Sequence, residues 1–176
     1  MTARAMSTAR EVEIVMLHAS PIHRYEGRPR AGALPAVGPE VHRELHFRAG
    51  LGIVGDRHFN ARAHRQASVT LFAIESLEHV AEQLGTPPLD VTATRRNIIV
   101  RGLDADSLRG VDFTLDTGAG PVKFRGHRPC NPCAWMDVEL ADGAFRELRG
   151  RGGMRCEPLS DGILHVGPAT FSVIDR

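Results

Sequence analysis

The sequence predicts a mainly β protein with a few helices (α+β), built as a closed or partly closed β-barrel with helical decoration. Short β-favouring runs recur along the chain between turns bearing Gly and Asp, and only one segment has sustained helical periodicity. The chain's 176 residues suit one core, and 42% hydrophobic with 24% charged residues is an ordinary globular composition.

In chain order, residues 1–10 carry two arginines and no apolar run and are expected to form a flexible N-terminal tail, leaving residues 11–176 as a single domain. Glu11 to Leu17 (EVEIVML) and Val41 to Phe47 (VHRELHF) are expected strands, the second with strict alternation. Between them Ser20 to Pro39 has Pro and Gly without periodicity, a loop long enough to be functional or mobile. Gly50 to His58 holds three glycines and an Asp and is expected to form a tight structured loop.

Ser68 to Phe72 is a short strand. Ile74, Leu77, Val80, Ala81 and Leu84 then recur at helical spacing, with Gly85 as the stop. Asn97 to Arg101, Asp112 to Leu115, Pro121 to Phe124, Gly162 to Val166 and Thr170 to Ile174 complete the strand set. Phe145 to Arg149 makes a helical turn that Gly150 to Gly153 cannot continue.

Lys plus Arg is 22 against 21 for Asp plus Glu, a net charge of +1, so no global positive field exists to attract nucleic acid. No apolar run approaches the ~20 residues that span a bilayer, and nothing resembles a secretion signal. A cytoplasmic protein with no membrane and no nucleic-acid partner is expected.

Cys130, Cys133 and Cys156 are an odd set in such a chain, which argues against a disulfide scaffold. His127, Cys130, Cys133 and Cys156 are one candidate zinc set, although only one Cys-x-x-Cys is present. A redox dithiol requires that motif inside a βαβ unit, which is not evident here. A single functional thiolate, with Arg128 within five residues of Cys133 to lower its pKa, fits better than either pair; the alternative is a buried cysteine packed like a small hydrophobe. The His42, Glu44, His46 series is a solvated strand face, because imidazoles four residues apart on a strand are about 13 Å apart. Arg57, Arg65, Arg95 and Arg96 lie in or beside turns, where guanidinium groups can converge on an anion with backbone N–H groups of the glycine loop, although each taken singly reads as a surface arginine.

Taken in order, Gly52 to His58 (GIVGDRH), Arg65 to Leu71 with Glu75, Arg95 to Gly102 (RRNIIVRG), Pro132-Cys133, and Gly150 to Gly153 leading to Gly162 to Gly167 resemble the MOSC domain, the molybdenum cofactor sulfurase C-terminal domain family. The likeness covers roughly residues 40–174. It implies a MOSC-type β-barrel that binds the molybdenum cofactor, a molybdenum held by the dithiolene sulfurs of a pyranopterin phosphate. Cys133 occupies the family's cysteine position and is the implied catalytic residue and metal ligand, a soft thiolate on a thiophilic metal.

The same likeness places Arg95 and Asn97 on the pterin and its phosphate, with Arg57, His58, Arg65 and Arg128 as further cofactor-binding candidates. Asp56 is expected to fix its turn through its own backbone. Relatives end the last hairpin with Gly-Asp where this chain has Gly167-Pro168, a change expected to alter pairing there. The implied function is an oxidoreductase acting on a small N-hydroxylated substrate with a separate electron donor. A sulfur carrier using a Cys133 persulfide with a separate sulfur donor, and a non-catalytic cofactor- or zinc-binding module, are the alternatives.

Overall fold

The computed structural model describes residues 9–175. Residues 1–8 of the expected tail lie outside them. The first strand, β1 (Arg10–His18), is followed by β2 (Val41–His42), β3 (Glu44–Arg48), β4 (Gly52–Ile53), β5 (Val69–Ala73), β6 (Ile98–Arg101), β7 (Asp112–Asp116), β8 (Val122–Pro129), β9 (Met154–Pro158), β10 (Gly162–His165) and β11 (Gly167–Ile174). Helix α1 (Ile74–Leu84) follows β5, and the short α2 (Trp135–Glu139) and α3 (Ala144–Glu147) lie between β8 and β9.

Seven strands close a barrel in the order β11, β7, β8, β9, β5, β6, β1, with β1 pairing back onto β11. The closing register runs Arg10 opposite Phe171 to Ile14 opposite Gly167, and β2 joins β1 at Leu17 and His18. Because Pro168 stands opposite Glu13, the Gly167-Pro168 change leaves this seam intact. Among the described residues the parallel pairing is β5 with β6, with α1 as its crossover. A second sheet is made by β10, β3 and β4.

Strand alternation divides the apolar residues between two clusters. Leu71, Ile98, Val100, Phe113, Phe124 and Met154 fill the barrel. Met16, Phe72 and Ile99 face outward onto Leu77 and Val80 of α1 and onto Trp135 and Met136 of α2. Gly85 ends α1 with φ of 63°, the left-handed conformation that glycine adopts without a Cβ penalty.

Three sequence expectations need correction. Val41 to Phe47 is not one strand: the chain bends at Arg43, giving β2 to the barrel and β3 to the second sheet. The strand β9 was not anticipated, although it sits between β8 and β5 in the barrel wall. Helix α2 was also missed and follows the Cys-x-x-Cys directly, but β8 and β9 on either side of it are antiparallel, so no redox βαβ unit is formed.

Candidate functional site

The site begins with the buried carboxylate of Asp56 in the glycine loop. One oxygen accepts the His58 backbone N–H at 3.0 Å, the expected turn contact. The other accepts the Ser20 N–H at 3.2 Å and the Asn97 amide at 3.4 Å. Asn97 also donates to the His18 carbonyl at 3.0 Å, and its Oδ1 accepts both the N–H and the hydroxyl of Thr70 at 2.9 Å. This pair thus ties the end of β1, the glycine loop, and the starts of β5 and β6 into one floor. Since every polar atom of the Asn97 side chain is engaged, Asn97→Ala strands several buried partners and is expected to cost about 3 kcal/mol. The midpoint of urea unfolding measures that loss.

Above this floor three arginines converge on a cleft of about 410 Å³. Arg57 donates its backbone N–H to the Ser20 carbonyl, while its Nε and Nη1 are buried with no hydrogen-bond partner. Burial lowers the pKa of this guanidinium; Asp56 opposes the shift, and the charges of Arg95 and Arg96 add to it. Arg95, 5% exposed and at φ of 54°, gives Nη1 to Glu40 at 3.2 Å and Nη2 to the Ile22 carbonyl at 3.3 Å, leaving Nε unpartnered. Arg96 donates Nε to the Gly152 carbonyl at 3.0 Å and Nη1 to the Thr94 carbonyl at 3.2 Å.

One carboxylate, Glu40, serves this group and is shared with Arg24 at 2.8 Å. Burial works to raise Glu40, but hydrogen bonding from Ser20 and Arg24 and the charges of Arg95 and Arg24 outweigh it and hold the pKa at about 2. Among the described residues Arg57 and Arg96 have no carboxylate at ion-pair distance. Buried, unpaired cations are costly, so the arrangement is complementary to an anion carrying several acceptor oxygens.

Histidines border the same cleft. The rings of His58 and His64 lie 4.3 Å apart. Burial, then the Arg57 charge, pushes His58 down to about 4, and it is neutral at pH 7. Behind the floor His18 is fully buried and is held at about 4 by burial and by Arg95. Its 3.8 Å approach to Glu40 is therefore not an ion pair at neutral pH.

The long loop 20–39 folds over the cleft and brings His23 and Tyr25 to it. The chain has one Tyr and one Trp, and they stack: Tyr25 lies on Trp135 with centroids 4.8 Å apart and planes 8° apart. The Tyr25 hydroxyl donates to the Ala93 carbonyl, and the Arg95 guanidinium lies over its ring at 5.5 Å.

Cys133 is exposed in the loop between β8 and α2, whereas Cys130 and Cys156 are buried. Cys130 and Cys133 both line the cleft. The zinc set does not assemble: His127 pairs with Glu157 at 2.9 Å, and Cys156 lies in the barrel core, where burial pushes its thiol far up. Among the described residues no three of His, Cys, Asp and Glu are grouped to hold one ion.

Of the residues singled out from sequence, Arg57, His58, Arg95, Arg96, Asn97 and Cys133 line one cleft. Arg65 is exposed on the 3₁₀ turn Arg62–Ala67, and Arg128 is exposed on β8; neither lines it. His23, Tyr25, His64, Trp135 and Arg155 line the cleft and were missed. Loop residues have no period to reveal them, and the only available signal was the presence of a solitary Tyr in an otherwise patternless segment.

The MOSC domain family model matches residues 43–169, most of the chain. Among solved structures the fold is similar to that of YuaD from Bacillus subtilis, with a TM-score of 0.72 at 18% identity over 97% of this chain and 100% of that one. It is also similar to YiiM from Geobacillus stearothermophilus, with a TM-score of 0.58 at 15% identity over 94% of this chain and 76% of that one. YiiM from Escherichia coli gives a TM-score of 0.56 at 15% identity over 93% of this chain and 70% of that one. No curated protein matches the chain. Among the described residues no helix is long and apolar enough to cross a membrane.

Proposed function

The chain belongs to the MOSC domain family, and from that premise we propose that the cleft binds the molybdenum cofactor and that the protein reduces small N-hydroxylated compounds. The observation that carries this reading is the group of guanidinium nitrogens on Arg57 and Arg95 that are buried beside the cleft without partners. Such donors fit a phosphate, whose several oxygens accept from more than one guanidinium. Arg57 and Arg96 would hold it. Arg95, half engaged by Glu40, would contribute its free Nε and keep loop 20–39 in place.

Cys133, exposed on the same cleft, fits a soft metal through its thiolate. When bound, the cofactor supplies a two-electron redox centre. Reduction of an N-hydroxyl compound to the amine consumes two electrons and two protons and releases water. Within this reading a separate electron donor supplies the electrons, and His58, a neutral imidazole beside His64, is offered for hydrogen bonding to the substrate hydroxyl.

Protein made in a cofactor-producing host and given reduced viologen as donor is expected to convert N-hydroxybenzamidine to benzamidine. Absence of turnover, with a persulfide found on Cys133 by mass spectrometry, would overturn the reductase reading in favour of a sulfur carrier.

A further inference from the structure

We propose that Arg128 and Arg155 form a carboxylate subsite at the edge of the cleft, so that substrates bearing a carboxylate are preferred. This rests on the cleft being a substrate site, as proposed above. Arg128 on β8 stands directly opposite Arg155 on β9. Directly opposed residues of an antiparallel pair share a face, with Cβ atoms roughly 5 Å apart, and like charges there are destabilising.

Elsewhere the same two strands compensate their charges. Arg125 lies opposite Glu157 and grips Asp112 through two nitrogens at 2.6 and 2.7 Å, and His127 meets Glu157 at 2.9 Å. Compensation stops at the next pair. Among the described residues neither Arg128 nor Arg155 has a hydrogen bond or ion pair from its side chain.

Position connects the pair to the chemistry. Arg155 lies between Met154 and Cys156, which both point into the barrel, so its side chain faces outward. There it lines the cleft together with Cys133 and with Thr70, its neighbour on β5. Two planar guanidinium forks brought together on one face match the geometry of a carboxylate. A small ligand suits this site better than an acidic protein surface, because Arg155 is half-buried in the cleft wall while Arg128 alone is exposed.

The test titrates the purified protein at low ionic strength with sodium benzoate and, separately, with inorganic phosphate, following backbone amide NMR shifts. Arg155→Gln and Arg128→Gln are expected to weaken benzoate binding about tenfold, equivalent to ~1.4 kcal/mol, and to leave phosphate binding as it was. Arg155→Lys, which keeps the charge and loses the fork, should fall between wild type and Arg155→Gln. Arg57→Gln should do the reverse, weakening phosphate and sparing benzoate. Benzoate binding that ignores both glutamine variants would overturn the subsite, as would an acidic peptide binding at the pair where benzoate does not. A phosphate response that ignores Arg57→Gln, with the benzoate arm intact, would instead sink the assignment of the loop arginines.

Discussion

Gly152→Ala is expected to destabilise the protein by on the order of 3 kcal/mol and to dislodge the loop that carries Cys133. A Cβ at Gly152 would stand 1.7 Å from the carbonyl oxygen of Cys130 and 2.9 Å from its carbonyl carbon, so backbone rather than a flexible side chain would have to yield. The same stretch holds the site from two directions. Arg96 donates to the Gly152 carbonyl, and the Cys130 N–H donates to the Gly153 carbonyl at 2.7 Å. Melting should fall by roughly 6–12 °C, given about 2–4 °C per kcal/mol for a domain of this size. Gly150→Ala is the control: its φ of 76° brings strain of about 1 kcal/mol, but no atom lies within 4 Å of the new Cβ. Equal losses in the two variants would contradict the close-approach argument.

Cys133→Ser is expected to abolish turnover while leaving the melting temperature within about 2 °C of wild type, because the residue is exposed rather than part of either core cluster. A hydroxyl is a hard, mostly protonated substitute for a soft thiolate. Cys156→Ser should show the opposite pattern, a stability loss of about 1–3 kcal/mol from burying a hydroxyl in the barrel core, with activity retained by the folded fraction. Cys130→Ser, buried at the cleft wall, should lower stability and alter activity only in part. Loss of activity in Cys130→Ser but not in Cys133→Ser would move the ligand by three residues.

The β5, α1, β6 unit was legible because its cues are local: helical spacing over Ile74 to Leu84 and a glycine that ends in the left-handed region. The strand β9 was not, because Met154 to Pro158 follows a glycine-rich turn and ends in proline. Pairing with β8 and β5 defines it, and pairing is a long-range property. Val41 to Phe47 showed clean alternation yet divides at Arg43, since alternation says which residues share a face and not which sheet they join.

Sequence also marked the glycine-loop and Arg95 to Asn97 blocks that meet at the cleft, but not the division of labour within them. Asn97 is occupied by Thr70, His18 and Asp56, and Arg95 is half occupied by Glu40. Those engagements depend on partners 27, 79, 41 and 55 positions away, beyond the reach of local pattern.

The pterin content of protein purified from a cofactor-producing host tests most directly whether the arginine-lined cleft holds a pyranopterin phosphate. After oxidation, wild-type protein should release a fluorescent pterin in near-stoichiometric amount. Arg57→Gln should release about tenfold less, as expected for loss of a charge-assisted contact of roughly 1.5–3 kcal/mol. Wild-type protein that releases no pterin and takes up none when cofactor is added would contradict the account.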